Sequence, residues 1–232
     1  MIIHLHDKEA RDPAIVGGKA ASLARWLKEF RIPSGVVVLP VKGPLETLQV
    51  TEGMTYAVRS SAVDEDGPQH SFAGQHDTYL NVHPDDVFHR VLDCYESAYS
   101  DRAKAYRREH GLPFDVKMAV IVQEMVQHVM SSGVMFSRDP LLGGNVAVIE
   151  ADWGVGKVVD GEGSPAVYRV EDNQIIEEPH TVGKMVLADQ MTRKIARMGT
   201  YIADQEGYPI DMEWAIDTAE NVWLLQVRPI TA

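Results

Sequence analysis

Three stretches of this sequence set cations, carboxylates and amides at spacings that suit phosphate chemistry, and the last is the most informative. In Asp211-Met212-Glu213-Trp214-Ala215-Ile216, alternate side chains of an extended strand share a face. Asp211, Glu213 and Ala215 therefore stand together, opposed by Met212, Trp214 and Ile216. After the polar turn Asp217-Thr218-Ala219-Glu220-Asn221, the run Val222 to Val227 reads as a partner strand. Leu224, Gln226 and Arg228 share one of its faces, with Leu225 and Val227 on the other. A turn at 218–221 pairs Asp217 with Val222 and sets Glu213 directly opposite Gln226. Carboxylate and amide oxygens are hard ligands suited to Mg2+ carrying substrate phosphates. Arg228 beside them could neutralise charge that develops during phosphoryl transfer. A solvated hairpin face explains Glu213 and Gln226 equally well, but gives no reason for Arg228.

The second stretch is Val16-Gly17-Gly18-Lys19-Ala20-Ala21-Ser22-Leu23. Its glycines let backbone amides approach an anion, and the following helix offers its N-terminal dipole and Lys19. It lacks the spacing of a Walker A loop. By itself it is better explained as a glycine turn leading into an amphipathic helix with an exposed lysine. The third is Tyr56-Ala57-Val58-Arg59-Ser60-Ser61-Ala62, where an arginine and two hydroxyls end an apolar strand. A guanidinium projecting from a strand edge suits bidentate capture of phosphate, although a surface ion pair is the simpler reading. Ser71-Phe72-Ala73-Gly74-Gln75-His76-Asp77-Thr78 follows as a loop that could fold over a ligand. Val120-Ile121-Val122-Gln123-Glu124-Met125-Val126 reads as a buried strand whose end could meet an adenine edge with backbone groups.

These residues matter more because the chain as a whole repels anions. Its 34 acidic and 22 basic residues give a net charge of −12. A surface this acidic disfavours nucleic acid and anionic membranes, and it obliges a polyphosphate site to concentrate its few cations. No stretch approaches the roughly 18 apolar residues of a membrane span. The N-terminus has neither the basic nor the apolar region of a signal peptide, so the cytoplasm is the expected compartment. The single cysteine, Cys94, excludes an internal disulfide and reads as a small buried residue of a helix.

The elements that must position these groups follow from periodicity. Ala20, Leu23, Ala24, Leu27 and Phe30 recur at helical spacing, and Pro33-Ser34-Gly35 breaks the pattern before the strand Val36-Val37-Val38. Residues 84–98 and 101–110 read as helices. Lys117 to Gln123, Gly133 to Phe136 and Asn145 to Glu150 read as strands, and residues 184–206 as a helix with Leu187, Met191, Ile195, Met198 and Ile202 along one face. Helices and strands mix without strict βαβ alternation, which favours a mixed-sheet α+β or α/β architecture over a doubly wound one.

Taken in order, these segments resemble the ATP-binding domain of the phosphoenolpyruvate synthase and pyruvate phosphate dikinase family, which also includes rifampicin phosphotransferases. Besides the stretches above, Ser132-Gly133-Val134-Met135-Phe136-Ser137-Arg138-Asp139-Pro140, Glu150-Ala151-Asp152-Trp153-Gly154-Val155-Gly156 and Leu225-Gln226-Val227-Arg228-Pro229-Ile230-Thr231 carry the likeness. The resemblance implies an ATP-grasp fold whose two subdomains, residues 1–123 and 124–232, enclose a nucleotide cleft. It implies ATP and Mg2+ as cofactors. Lys19 and Arg59 would contact phosphates beneath the Gly74 loop. Gln123, Glu124, Met125 and Val126 would hold adenine, and Thr78 and Asp211 join the nucleotide contacts. Glu213 and Gln226 would bind metal. Lys19, Arg59 and Arg228 would be the catalytic cations. The Trp153 to Gly156 segment would line the cleft.

The departures narrow the expected function. Only residues 40 to 54 fill a gap that the family occupies with a longer helical stretch, and the segment after Tyr168 is abbreviated. None of the nine histidines lies in the family's phosphohistidine context, and the sequence ends where the dikinases continue into their swivelling domain. An ATP-dependent phosphotransferase is therefore expected, delivering phosphate to a small molecule or to a histidine on a separate partner protein. An ATP-grasp ligase that activates a carboxylate as an acyl phosphate is the alternative. A nucleotide-binding module without turnover is a third reading, for which Arg228 has no use.

Overall fold

Asp12 opens the first helix by accepting the Ala14 amide at 2.9 Å, and Pro13 supplies the first helical position, where a missing N–H costs nothing. This helix, α1, spans Pro13–Trp26 and is interrupted at Gly17. The structure, a computed structural model, describes residues 1–40, 48–63, 78–156, 158, 164–179 and 186–230. The chain divides into two compact units, Met1–Met125 and Val126–Ala232.

In the first unit the strands are β1 (Ile2–His4), β2 (Gly35–Val38), β3 (Tyr56–Ala62), β4 (Thr78–Val82) and β5 (Met118–Glu124). They form one antiparallel sheet in the order β1-β2-β5-β3-β4. Alternation along the strands sends Val37, Ala119 and Ile121 to one face, where they pack with Val16, Ala20, Ala21 and Ala24 of α1. Val58, Val120 and Val122 go to the other face. There they meet Val87, Val91 and Cys94 of α2 (Val87–Ser97). Cys94 is fully buried in this helix, as its apolar setting predicts. Helix α3 (Asp101–Glu109) follows, capped by Ser100, which accepts the Ala103 amide at 3.2 Å.

In the second unit β6 (Val129–Phe136), β7 (Ala147–Trp153), β8 (Ala166–Glu171), β9 (Gln174–Glu177), β10 (Ile210–Asp217) and β11 (Val222–Pro229) form a sheet in the order β11-β10-β6-β7-β8-β9. Helix α4 (Asp189–Glu206) covers one face of it. Its apolar stripe of Met191, Ile195, Met198 and Ile202 is buried, and full burial of Ile195 and Ile202 contributes about 2 kcal/mol each. Gly199 permits the close approach: a Cβ there would lie 2.2 Å from the sulfur of Met135 on β6. Gly207 ends the helix in a left-handed conformation (φ 78°).

The α+β architecture expected from the sequence is the one found. Every described ladder in it runs antiparallel. Strands β1, β4, β8 and β9 and the start of α1 at Pro13 go beyond the elements expected from the sequence, and Thr78, expected in a loop, opens β4. No helix among the described residues is long and apolar enough to cross a membrane.

Candidate active site

The glycines before Lys19 sit at a break in α1. Gly17 takes φ 80° and ψ 167°, so the helix stops and restarts within one residue. A Cβ on Gly17 would lie 2.1 Å from the carbonyl oxygen of Ser61 on β3, which only glycine tolerates. Ser61 Oγ accepts the Ala20 amide at 3.1 Å and donates to the Val16 carbonyl at 2.8 Å. Lys19 lies in the first turn after the break and is 9% exposed.

Arg59 stands on the same strand and the same sheet face as Ser61. The sequence places it on a strand edge, and here the structure differs: β3 lies between β5 and β4, with Arg59 paired to Ile121 on one side and Thr78 on the other. The two serines also part company. Ser60 points to the α2 face and is buried, and the Ser61 hydroxyl is engaged in the α1 break, so neither joins Arg59 as a donor. Thr78, an exposed residue at the start of β4, is the cross-strand partner of Arg59 and shares its face. Gly74 lies outside the described residues.

Gln123 is 2% exposed, and both ends of its amide are occupied within the protein. Oε1 accepts from Arg59 Nη2, and Nε2 donates to the Pro33 carbonyl at 3.0 Å. A guanidinium only donates and a carbonyl only accepts, so these partners fix the amide orientation. Gln123 therefore orients Arg59 through its side chain. The amides of Glu124 and Met125 donate to Ser34 and Thr55 carbonyls at 2.9 and 2.8 Å. Val126 begins the second unit.

In the second unit the final hairpin carries Glu213 opposite Gln226 and Asp211 opposite Arg228, the pairing that strand alternation predicts. The route to that pairing differs. Asp217 accepts the Ala219 and Asn221 amides, each at 2.9 Å, together with Trp223 Nε1 at 2.9 Å. This turn pairs Ile216, rather than Asp217, with Val222. A bulge between Glu213 and Trp214 then leaves Leu225 without a register partner and restores Glu213 to Gln226. As a result Leu224 faces Trp214 on the apolar side, both fully buried, and does not join Gln226 and Arg228 as strand alternation alone predicts.

Arg228 Nε donates to both carboxylate oxygens of Asp211, at 2.8 and 2.7 Å. Burial pushes the Asp211 carboxyl up to about 6; Arg228 opposes the rise and Glu213 adds to it. The partly exposed Glu213 and the buried Gln226 are direct cross-strand neighbours, with Cβ atoms about 5 Å apart for such pairs. No cluster of three His, Cys, Asp or Glu residues among the described residues could hold a metal alone. One carboxylate and one amide suit Mg2+, which keeps waters and phosphate oxygens as its remaining ligands.

Two features of this unit lie outside the candidate site residues. Asp139 is a buried capping residue, accepting the Leu141 and Leu142 amides at 2.8 and 3.0 Å and Arg169 Nε at 3.3 Å. The Leu142 amide leads in holding its carboxyl below the usual range. A cleft of about 780 Å3 lies against α4, lined by Arg138, Arg197, Tyr201 and Tyr208 among others. It is on the helix-covered side of the sheet, opposite to Glu213. Trp153 ends β7 half-exposed, and Gly154 follows with φ 81°.

The sequence profile of the pyruvate phosphate dikinase AMP/ATP-binding domain matches residues 38–184 and 173–232. Prodigiosin-synthesizing transferase PigC of Serratia marcescens is 36% identical over 298 aligned positions, covering 100% of this chain and 33% of that protein. Rifampicin phosphotransferase of Bacillus subtilis is 34% identical, covering 93% of this chain and 28% of its own length. Phosphoenolpyruvate synthase of Pyrococcus furiosus is 37% identical, with coverages of 78% and 26%. The chain thus spans about a quarter to a third of the length of these curated relatives. Among solved structures, D-alanine-D-alanine ligase of Helicobacter pylori aligns with a TM-score of 0.51 at 10% identity, over 91% of this chain and 55% of that one. PH1788 of Pyrococcus horikoshii aligns with a TM-score of 0.51 at 11% identity, over 92% and 89%. These two likenesses speak for the fold alone, the α+β ATP-grasp fold.

Proposed function

Because this chain belongs to the family of the pyruvate phosphate dikinase AMP/ATP-binding domain, we propose that it binds Mg-ATP and catalyses phosphoryl transfer from it. Lys19 and Arg59 hold the phosphates, and Thr78, the cross-strand partner of Arg59, joins the nucleotide contacts. The Glu124 carbonyl and the Val126 amide meet the adenine edge, while Gln123 fixes Arg59 and the Met125 amide keeps its place on Thr55. Glu213 and Gln226 are the metal ligands. Mg2+, when bound, screens the phosphate oxygens and orients them for in-line transfer. Arg228, held by Asp211, stabilises the charge that develops on the transferring group. The acceptor is a small molecule or a histidine of a partner protein.

The observation that carries this reading is the Glu213–Gln226 pair beside the Asp211–Arg228 ion pair on one hairpin face. A hard-metal site next to a fixed guanidinium is what a phosphoryl group in transfer requires. The test is 31P NMR of ATP with the protein, Mg2+ and candidate acceptors, including an isolated phosphohistidine-domain protein. Loss of an ATP phosphate resonance together with a new phosphoryl signal on the acceptor is expected. Consumption of ATP only when a carboxylate and an amine are both present would mark a ligase and reject the reading.

A further inference from the structure

The helix that bears Lys19 is capped from another part of the chain. With Gly17 at the break, Gly18, Lys19 and Ala20 are the first three residues of the restarted helix. A side chain at the capping position usually accepts the amide of the third. Gly17 has no side chain, and the 2.1 Å approach of its Cβ position to the Ser61 carbonyl leaves room for none. Ser61 Oγ takes that role instead, accepting from Ala20 at 3.1 Å across 41 residues of sequence. Its own proton goes to Val16, the residue before the break, at 2.8 Å. One fully buried hydroxyl therefore joins both sides of the break to β3. Two residues earlier on the same strand face stands Arg59, anchored in turn by Gln123.

We propose that Ser61 is a positioning residue for phosphate binding: its hydroxyl sets the start of the Lys19 helix against the strand that carries Arg59, and so fixes the spacing of the two cations. The proposal rests on the reading of Lys19 as a phosphate ligand. It goes beyond that reading because the Ser61 hydroxyl is taken up by Val16 and Ala20, which gives it a role through the helix start alone. A hydroxyl that merely satisfied a buried break would contribute to stability without being coupled to Lys19.

A double-mutant cycle separates these cases. Affinity for Mg-AMPPNP is measured by calorimetry on the wild type, Ser61→Ala, Lys19→Ala and the double variant, with thermal unfolding of each. Ser61→Ala is expected to weaken binding about tenfold in the wild-type background and less than about twofold in the Lys19→Ala background. Its effect on the unfolding temperature is expected to be the same in both. Full losses in both backgrounds, or affinity unchanged by Ser61→Ala, would overturn the role of Ser61 while leaving Lys19 in place. Wild-type affinity in Lys19→Ala would overturn the reading of Lys19 itself, and this proposal with it. If Ser61→Ala does not fold, Ser61→Cys, whose thiol is a weaker donor and acceptor, enters the same cycle.

Discussion

Arg228 and Asp211 face each other across the final hairpin, with the guanidinium Nε placed between both carboxylate oxygens at 2.8 and 2.7 Å. Asp211 is 7% exposed, so the pair is shielded from solvent on the carboxylate side and the arginine is held in one orientation. Asp211→Asn keeps the shape and removes the charge. It is expected to lower the rate of phosphoryl transfer by about tenfold or more with little change in KM for ATP, and Arg228→Ala by about a hundredfold. Single-turnover kinetics check both. An effect of Arg228→Ala confined to KM contradicts the charge-stabilising role.

Gln123 ties Arg59 to the Pro33 carbonyl, and both side chains are buried. Gln123→Leu fills similar space but withdraws the acceptor from a buried guanidinium. The expected cost is about 1–3 kcal/mol of stability, together with weaker nucleotide binding. Chemical denaturation and calorimetry measure the two. A variant as stable as the wild type would show that the contact does not hold Arg59.

The Asp217 carboxyl is lowered to about 2: burial works against this, but hydrogen bonds from Trp223, Asn221 and Ala219 outweigh it. A carboxyl depressed in the folded state stabilises the fold above its unfolded pKa, near 4, and loses that contribution as pH falls toward 2. Asp217→Asn is therefore expected to be less stable than the wild type at neutral pH. The difference should shrink between about pH 4 and pH 2. Thermal unfolding across that range is the check, and a pH-independent difference would exclude this cause.

The polar face of the hairpin was legible because strand alternation is a local rule: it sets Asp211 with Glu213 on one strand and Gln226 with Arg228 on the other. The bulge at Leu225 was not, because it arises from the hydrogen bonds that Asp217 makes within the turn, and two offsets cancel to give the predicted pair. Long-range contacts were equally hidden. Nothing local in Ser61 or Gln123 announces that one hydroxyl caps a distant helix or that one amide orients an arginine on a neighbouring strand. Strand β8 is legible only in its short alternation of Tyr168 and Val170 with Arg169 and Glu171. The interior place of β3 follows from sheet order, which periodicity does not encode.

Glu213 and Gln226 are proposed to hold the metal that accompanies ATP. Mn2+ prefers the same hard oxygen ligands as Mg2+ and can be followed by electron paramagnetic resonance. Titration of Mn2+ in the presence of AMPPNP is expected to show tight binding to the wild type and at least about tenfold weaker binding to Glu213→Ala, while that variant still binds nucleotide. Equal Mn2+ affinity in the wild type and Glu213→Ala would contradict the assignment.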